Sequence, residues 1–374
     1  MPPELPNPES FPYDEFLAVQ EERDQFIYEW DQGLRPGEVP VIIMPAWDMW
    51  NDNTCADSEV FLRWNLWGMI VSARWKSDSV FPHLQPWYGV GIMASAFGAK
   101  YRWEGDSAPQ TRPVFQSADA VADIKTPRPG ESEPMKEVLD RIRWYREVTH
   151  DRLPICLTDT QSPHDTASLL METNEFFTVS SFEPERVERF MNAITDLTIA
   201  FSEMQTKAIG SNLSLPGHQM LCHPRWSGIS LSDDNMSMVS PRVYEAAMLP
   251  YNSRISEHFG GIALHSCGKV GHNIPTLLRT PGVNQTEHGV CAIVKDSDPN
   301  PNEPESLRDG YRGSDVILKV RLNKSEIDLL DRLLASDLKC ALVVTGVESQ
   351  QESEKVYDRF KRRIRQITAD WQES

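Results

Sequence analysis

Residues 228–283 read GISLSDDNMSMVSPRVYEAAMLPYNSRISEHFGGIALHSCGKVGHNIPTLLRTPGV. Two short apolar runs of strand type, at 228–234 and 261–267, flank an amphipathic segment at 240–259. Pro241 stands in the first turn of the predicted helix and Gly260 follows its last residue, as is typical of helix starts and stops. This order predicts two parallel strands joined by a helix.

The same alternation runs along most of the 374-residue chain. Further strand-type runs occur at 39–45, 153–160, 283–288, 316–322 and 340–346, and a weaker run that contains Pro82 occurs at 77–84. Amphipathic segments occur at 57–75, 135–149, 183–209, 324–337 and 349–371. About eight strand–helix repeats indicate an α/β protein, and we predict a (β/α)8 TIM barrel over 36–374. Residues 1–35, with a helical pattern at 15–31, are predicted to form an N-terminal helical extension.

Composition and charge exclude several classes of protein. The formal net charge is −18, so the chain would repel nucleic acid. No apolar run reaches the roughly 18 residues that a membrane span needs. The acidic, proline-rich N-terminus lacks the features of a secretory signal, so we expect a cytoplasmic protein. Six dispersed cysteines indicate reduced thiols rather than disulfides.

Polar side chains follow the predicted strands at their carboxyl ends, where (β/α)8 enzymes carry their active sites. They are Trp47 and Asp48, Asp159 and Gln161, Asp233 and Asp234, His265 and Cys267, and Glu287 and His288. Any single carboxylate could instead cap a helix or stabilise a turn. Together, however, these groups would repel or desolvate one another at a single rim. We therefore expect them to bind a cation, a polar substrate, or both.

The pair His265 and Cys267 gives the sharpest local signal. Alternate residues of a strand face the same side, so the imidazole and the thiolate point toward one place, as a Zn²⁺ site requires. Glu287, at the end of the next strand, is the predicted third ligand. Further candidates are His288, Cys291 and Cys340, the last of which begins its strand and is the weakest. A buried cysteine beside a hydrogen-bonded histidine would produce the same pattern.

The central segment resembles the uroporphyrinogen decarboxylase superfamily. Members have an S-P-x-x-[YF]-x-x-x-x-x-P-Y helix followed by a strand that ends H-x-C-G, and here SPRVYEAAMLPY at 240–251 precedes HSCG at 265–268. SDSVFP at 77–82 and LTDTQSPHDTASLL at 157–170 are similar to further segments of the family. The resemblance implies a (β/α)8 barrel. It also implies that Asp78 corresponds to the aspartate with which decarboxylases hold the pyrrole nitrogens.

Two chemistries occur in this superfamily. Decarboxylases hold the acidic side chains of a tetrapyrrole with arginines in an R-Q-A-G-R-Y loop, where this chain has MPAWDMW at 44–50. Methyltransferases move a methyl group between a corrinoid and a thiol and hold Zn²⁺ with H-x-C and a later cysteine. Gly346-Val347-Glu348 stands in place of that cysteine, whereas Glu287 resembles in position a glutamate of the related cobalamin-independent methionine synthases. The resemblance therefore implies zinc-dependent methyl transfer to a thiol, from a corrinoid, its carrier protein or another donor.

The expected roles follow from this resemblance. Metal ligands are His265, Cys267 and Glu287; catalytic groups are Asp78, Asp159 and Asp234; substrate-binding groups are Trp47, Asp48, Gln161, Asp233 and Tyr244. One alternative is a decarboxylase or other lyase that acts on a tetrapyrrole or another acid. A second is a barrel that binds a sugar or corrinoid without turnover, with Trp47, Trp87 and Trp226 as stacking faces. A homodimer is expected only by analogy with the decarboxylases.

Overall fold

The structure is a computed structural model that describes residues 4–45, 52–103, 105, 108–290, 300–369 and 371. Trp47, Asp48 and Cys291, which the sequence predicts to lie near the site, fall outside the described residues.

Helices and strands occur largely where the sequence predicts them. The α-helices are α1 (Tyr13–Asp31), α2 (Asp52–Cys55), α3 (Ser58–Arg74), α4 (Ile92–Ala96), α5 (Glu133–Val148), α6 (Pro163–Leu170), α7 (Thr173–Phe182), α8 (Glu188–Ile209), α9 (Pro241–Ala247), α10 (Leu249–Phe259), α11 (Ile274–Leu277), α12 (Pro304–Tyr311), α13 (Leu330–Leu333) and α14 (Gln350–Ala369). The strands are β1 (Val41–Pro45), β2 (Tyr101–Arg102), β3 (Gln110–Thr111), β4 (Ile229–Ser232), β5 (Ile262–His265), β6 (Val283–Gly289), β7 (Ile317–Asn323) and β8 (Cys340–Val347).

Six strands form one parallel sheet in the order β1-β8-β7-β6-β5-β4, and β2 and β3 form a small antiparallel pair. Two further segments, 77–85 and 153–161, lie between β1 and β4 and complete the ring. Leu84 N donates to Pro154 O at 2.8 Å, and Ser232 N donates to Thr160 O at 2.9 Å. The sheet with its surrounding helices is therefore a (β/α)8 barrel, as predicted.

The second and third positions of the barrel are irregular, unlike the other six. Segment 153–161, predicted as a strand, makes only isolated parallel bridges, at Ile155 and Gln161, and segment 77–85 makes one at Leu84. Pro82 and Pro154 carry no N–H and interrupt any ladder there. The prediction of a regular strand at 153–160 is thus corrected to a bridged, extended segment.

Asp78 lies at the amino end of β1, where its carboxylate accepts a hydrogen bond from the strand backbone. Val41 N donates to Asp78 Oδ2 at 2.7 Å, and the Tyr357 hydroxyl donates to Oδ1 at 2.6 Å. Lys361 Nζ lies 2.9 Å from Oδ2. Because this position is opposite to the carboxyl ends of the strands, the predicted catalytic role of Asp78 is corrected to a structural one.

The predicted helix in the N-terminal extension is confirmed as α1, which covers the amino end of the barrel. Ile27 and Trp30 of α1 pack with Ile42, Ile317 and Val343 from the strands. These apolar contacts fasten α1 to the amino end of the barrel. Among the described helices, none is long and apolar enough to cross a membrane.

Charged side chains point into the barrel from β7. Leu318, Val320 and Leu322 join the main hydrophobic core between strands and helices. Since side chains alternate along a strand, Lys319 and Arg321 face the interior. The barrel centre is consequently polar, which is unusual for a packed barrel and points to a site there.

Candidate metal centre

Register places the predicted metal ligands side by side. His265 is the last residue of β5, and in the parallel ladder it pairs with Ser232 of β4 and Glu287 of β6. Cys267 follows two residues later, on the same side of the chain. The side chains of His265 and Glu287 are both almost fully buried, whereas Cys267 is partly exposed.

Three donor atoms of different chemistry converge at this point. Cys267 Sγ lies 3.4 Å from His265 Nε2, and Asp234 Oδ1 lies 3.7 Å from the same nitrogen. The ligand atoms of Asp234, His265 and Cys267 all lie within 4.8 Å of one another. The site thus brings together the two residues predicted from the H-x-C pattern and an aspartate predicted as catalytic.

Glu287 contacts the opposite edge of the imidazole ring, at Nδ1. His265 Nδ1 and Glu287 Oε2 are 2.5 Å apart, so the carboxylate accepts the Nδ1 proton and leaves Nε2 to face Cys267 and Asp234. Glu287 does not belong to the group of donor atoms within 4.8 Å of one another. A carboxylate that orients a ligating histidine in this way is a common companion of protein metal sites. In this arrangement Glu287, predicted as the third metal ligand, contacts His265 from the side away from the donor atoms, and Asp234 is the third member of that group.

Two positively charged side chains of β7, Arg321 and Lys319, lie beside Glu287. Arg321 Nε lies 3.6 Å from Glu287 Oε1, and Lys319 is the register partner of Glu287. Burial alone would raise the pKa of Glu287, but Arg321, His265 and Lys319 together keep it well below its usual value. Burial alone would lower the pKa of His265, whereas Glu287, Cys267 and Asp234 together raise it well above its usual value. The negative charges around the imidazole therefore favour a positive charge at this place.

Asp234 stands on a turn that other side chains fix. It begins a 3-10 helix, Asp234–Ser237, directly after β4. Its Oδ1 accepts a hydrogen bond from Cys267 N at 2.7 Å, and its backbone N–H donates to Asp165 Oδ2 at 2.6 Å. Because its side chain is about 48% exposed, Asp234 remains open to the barrel mouth.

A second polar group lies inside the barrel beside His265. Asp159 Oδ1 accepts from the Ser232 hydroxyl at 2.8 Å and from Gln161 Nε2 at 3.3 Å. His218 Nε2 lies 3.8 Å from Asp159 Oδ2, and burial lowers the pKa of this histidine while Asp159 acts to raise it. Asp159 and Gln161, both predicted from the third strand end, thus lie one strand away from the donor cluster.

Asp233 and Tyr244 face away from the mouth. Ser232 and Asp234 alternate with Asp233, which turns toward the helices and accepts from Asn252 Nδ2 at 2.9 Å. Burial raises the pKa of Asp233 to about 6. Tyr244 lies in the main hydrophobic core. The predicted substrate-binding role of both residues is therefore corrected to a role in packing the barrel against its helices.

Two of the remaining metal candidates, His288 and Cys340, also lie apart from the cluster, and the third, Cys291, is outside the described residues. His288 Nε2 and the Tyr311 hydroxyl are 2.9 Å apart, in the layer of helices. Cys340 is the first residue of β8, at the amino end, and burial holds the pKa of its thiol well above its usual value.

The donor set fits Zn²⁺. Nitrogen, sulfur and oxygen ligands bound at about 2.0–2.3 Å in a tetrahedron lie roughly 3.3–3.8 Å apart. Cys267 Sγ and Asp234 Oδ1 lie 3.4 and 3.7 Å from His265 Nε2, within this range. Three protein ligands leave one position for a substrate, as in catalytic zinc sites.

Four residues near the site were not among those predicted from the sequence: Asp165, His218, Lys319 and Arg321. Lys319 and Arg321 alternate within VILKVRL at 316–322, and two charges on one face of an otherwise apolar strand are a signal that points inward. His218 lies in a loop with no strand pattern. Asp165 stands in the first turn of α6, where an acidic residue is ordinary. Neither of these two had a distinguishing local signal.

Comparisons with known proteins agree with the fold. A family model described as uroporphyrinogen decarboxylase (URO-D) matches residues 88–290. Among solved structures, a methyltransferase from Methanosarcina mazei matches with a TM-score of 0.65 and 13% sequence identity, covering 91% of this chain and 98% of that chain. At this identity the likeness supports the barrel fold alone. A search of curated proteins gives no match. The family model spans more than half of the 374 residues, and the chain therefore belongs to the uroporphyrinogen decarboxylase family.

Proposed function

We propose that this chain is a zinc-dependent methyltransferase that transfers a methyl group from a corrinoid or another donor to a thiol. The observation that carries the proposal is the convergence of Asp234, His265 and Cys267 within 4.8 Å at the carboxyl end of the barrel. These three residues would hold Zn²⁺. When bound, the ion would stabilise a substrate thiol in its nucleophilic thiolate form.

The protein's own residues would prepare this site. Glu287 accepts the Nδ1 proton of His265 and so presents Nε2 as the free donor. Arg321 and Lys319 neutralise Glu287 within the barrel, which keeps the carboxylate ionised despite its burial. Asp234 and Cys267 are the two more exposed members, so a substrate approaching from the mouth meets them first.

The polar group beneath the mouth would orient the substrate. Asp159, Gln161 and His218 line the interior next to His265 and offer both hydrogen-bond donors and acceptors. A small polar thiol could be held there while the methyl donor lies above it. Such positioning is what a two-substrate transfer requires, because it brings the reacting atoms together before reaction.

This chain departs from the family pattern at the later cysteine. Val347 is buried and Glu348 is exposed where that ligand is expected. Asp234 would supply the missing donor, which replaces a soft sulfur by a hard oxygen. We therefore propose a mixed nitrogen, sulfur and oxygen site for this chain.

The alternatives have less support. A decarboxylase would need Asp78 at the mouth, whereas Asp78 binds β1, Tyr357 and Lys361 at the other end. A sugar-binding barrel would use tryptophans at the mouth as stacking faces. Of the three predicted for this role, Trp87 is buried against Phe61, and Trp226 lines a separate cavity of about 320 Å³ at the amino ends of β6 and β7. Trp47 lies outside the described residues.

The test is the metal content of the purified protein, measured by plasma mass spectrometry. Wild type should carry about one zinc per chain, and the double variant His265→Ala, Cys267→Ala should carry none. Purification without chelator is essential to the comparison. Absence of stoichiometric metal from wild type would refute the zinc methyltransferase. With metal present, methyl transfer from methylcobalamin to a panel of small thiols would be the next assay.

A further inference from the structure

Asp165 holds the turn on which Asp234 stands, although it lies on a different element. This residue belongs to α6, and its side chain is about 4% exposed. Asp165 Oδ2 accepts from Asp234 N at 2.6 Å, and Oδ1 accepts from Asn235 N at 3.0 Å. Both carboxylate oxygens are therefore used by the backbone of the turn, so Asp165 is not itself placed as a ligand.

The 3-10 helix that Asp234 begins has no cap of its own. Its N-cap residue, Asp233, makes no side-chain hydrogen bond to the helix. First-turn N–H groups need an acceptor, which a neighbouring Ser, Asn or Asp usually provides. Here the acceptor comes from α6, about seventy residues earlier in the chain. The position of the turn is consequently fixed relative to α6 rather than by the loop alone.

Further contacts fasten the same turn to α6. Asn235 Nδ2 lies 3.1 Å from His164 Nδ1 and donates to the Ser168 hydroxyl at 3.0 Å. On the other side, Asp234 Oδ1 accepts from Cys267 N at 2.7 Å. A continuous chain of hydrogen bonds thus runs from Asp165 through Asp234 to Cys267.

A carboxyl group has a cost at this place. Burial next to Asp233 and Asp234 adds desolvation and like-charge repulsion to its ionised form, which raises the pKa of Asp165 well above its usual value. A serine or asparagine would avoid the repulsion but would offer only one acceptor oxygen. Asp165 instead uses one oxygen for each of two N–H groups, so the turn is fixed at two points.

We propose that Asp165 is a positioning residue that sets metal affinity by fixing Asp234 against His265 and Cys267. This inference rests on the proposed function, because the affinity concerned is that of the proposed metal site. Asp165 acts only through Asp234, so removing either residue should have the same consequence, and removing both should add nothing.

Titration of the apo-protein with Co²⁺ tests this, because a cobalt–thiolate charge-transfer band reports ligation by Cys267 directly. Asp165→Ala should weaken Co²⁺ binding roughly 10- to 100-fold, as loss of outer partners does at other metal sites. Asp165→Asn, which keeps one acceptor oxygen, should fall between the alanine variant and wild type. Glu175→Ala is the matched control, because Glu175 Oε1 accepts from Ala118 N at 3.0 Å, at the start of a different 3-10 helix, Ala118–Val121. Its Co²⁺ affinity should equal that of wild type.

A double-mutant cycle separates positioning from general loosening. Asp165→Ala combined with Asp234→Ala should bind Co²⁺ as Asp234→Ala alone does. Unchanged affinity in Asp165→Ala, or additive losses in the double variant, would overturn the proposal. If wild type binds no Co²⁺, the proposed function fails instead. The role of Asp165 in placing Asp234 beside Cys267 is then tested by the rate at which iodoacetamide alkylates Cys267, followed by peptide mass spectrometry. Asp165→Ala must change that rate as Asp234→Ala does; if only Asp234→Ala changes it, Asp165 is not a positioning residue.

Discussion

Asp78 and Asp234 are two aspartates at opposite ends of one barrel, and their surroundings differ sharply. Asp78 is about 9% exposed, and its oxygens bind Val41 N, the Tyr357 hydroxyl and Lys361 Nζ. Asp234 is about 48% exposed and faces an imidazole and a thiol. The first carboxylate is fully used by its own chain, whereas the second keeps capacity for a ligand. Residue type and strand position alone do not distinguish them; the atoms around each carboxylate do.

The largest effect should come from Asp78→Ala. Removing this carboxylate leaves the largely buried Lys361 with only Glu38 and the Val39 carbonyl as partners, and it leaves Val41 N without its side-chain acceptor. The free energy of unfolding should therefore fall by about 2–4 kcal/mol. Urea denaturation measures this. Tyr357→Phe, which removes one of the hydrogen bonds, should cost about 1 kcal/mol. Metal content per folded chain should not change, and a loss of metal in Asp78→Ala would contradict the division between the two ends.

Asp234→Ala should give the opposite result. We expect Zn²⁺ affinity, measured by competition with a chelator, to fall roughly 10- to 100-fold, while the free energy of unfolding changes by less than about 1 kcal/mol. Asp233→Asn is the control next in sequence. It faces Asn252 and should lower stability without lowering affinity. Equal affinity in Asp234→Ala and wild type would remove Asp234 from the site.

Glu287→Gln tests whether the charge of Glu287 contributes to metal binding by His265. The amide keeps an acceptor for His265 Nδ1 but loses the charge, so Zn²⁺ affinity should fall about 10-fold. Competition titration again gives the value, and Glu354→Gln on the exposed face of α14 serves as the control. Retention of full affinity would show that Glu287 does not support His265.

Asp24 gives the smallest expected effect and concerns the amino end. Burial raises the pKa of this residue of α1 to about 7, although a hydrogen bond from Gln20 acts to lower it. An acid whose pKa is raised on folding costs stability once it ionises, so this cost appears as pH rises from about 4 to 7 and is complete above 7. Asp24→Asn should therefore stabilise the protein by about 1–2 kcal/mol at pH 8, after allowing for solvent screening, and by nothing at pH 4. Thermal unfolding at both pH values checks this, and an equal effect at both would contradict it.

The barrel was predictable where the strands are regular. Runs such as CALVVTG and GIALHSC combine apolar residues with clear boundaries, and each is a strand in the structure. Segments 77–85 and 153–161 were harder, because proline interrupts them and bridges replace ladders. Their hydrogen bonds come from partners distant in sequence, which a local pattern does not reveal.

The site was predictable in part for the same reason. The spacing of His265 and Cys267 along one strand is a recognisable pattern, and the alternation of side chains predicts that both face the same side. Asp165 and His218 meet the site only through tertiary contacts. The prediction for Asp78 was wrong because a similarity of sequence placed it at the mouth, whereas Asp78 N donates to Val41 O at 2.9 Å, at the amino end of β1.

The irregular side of the barrel has a consequence for its dynamics. Between β4 and β1 the ring is closed by single bridges at Leu84, Ile155 and Gln161, whereas β7 and β8 share a continuous ladder from Leu318 to Asn323. Amide protons in the ladder should exchange with deuterium only when the whole domain unfolds, while those bridging segments 77–85 and 153–161 should exchange through local opening. The barrel thus has a seam, and Asp159 and Gln161 lie along it, one strand from His265. Breathing at that seam would widen or narrow the space beside His265 without disturbing the strands that carry it.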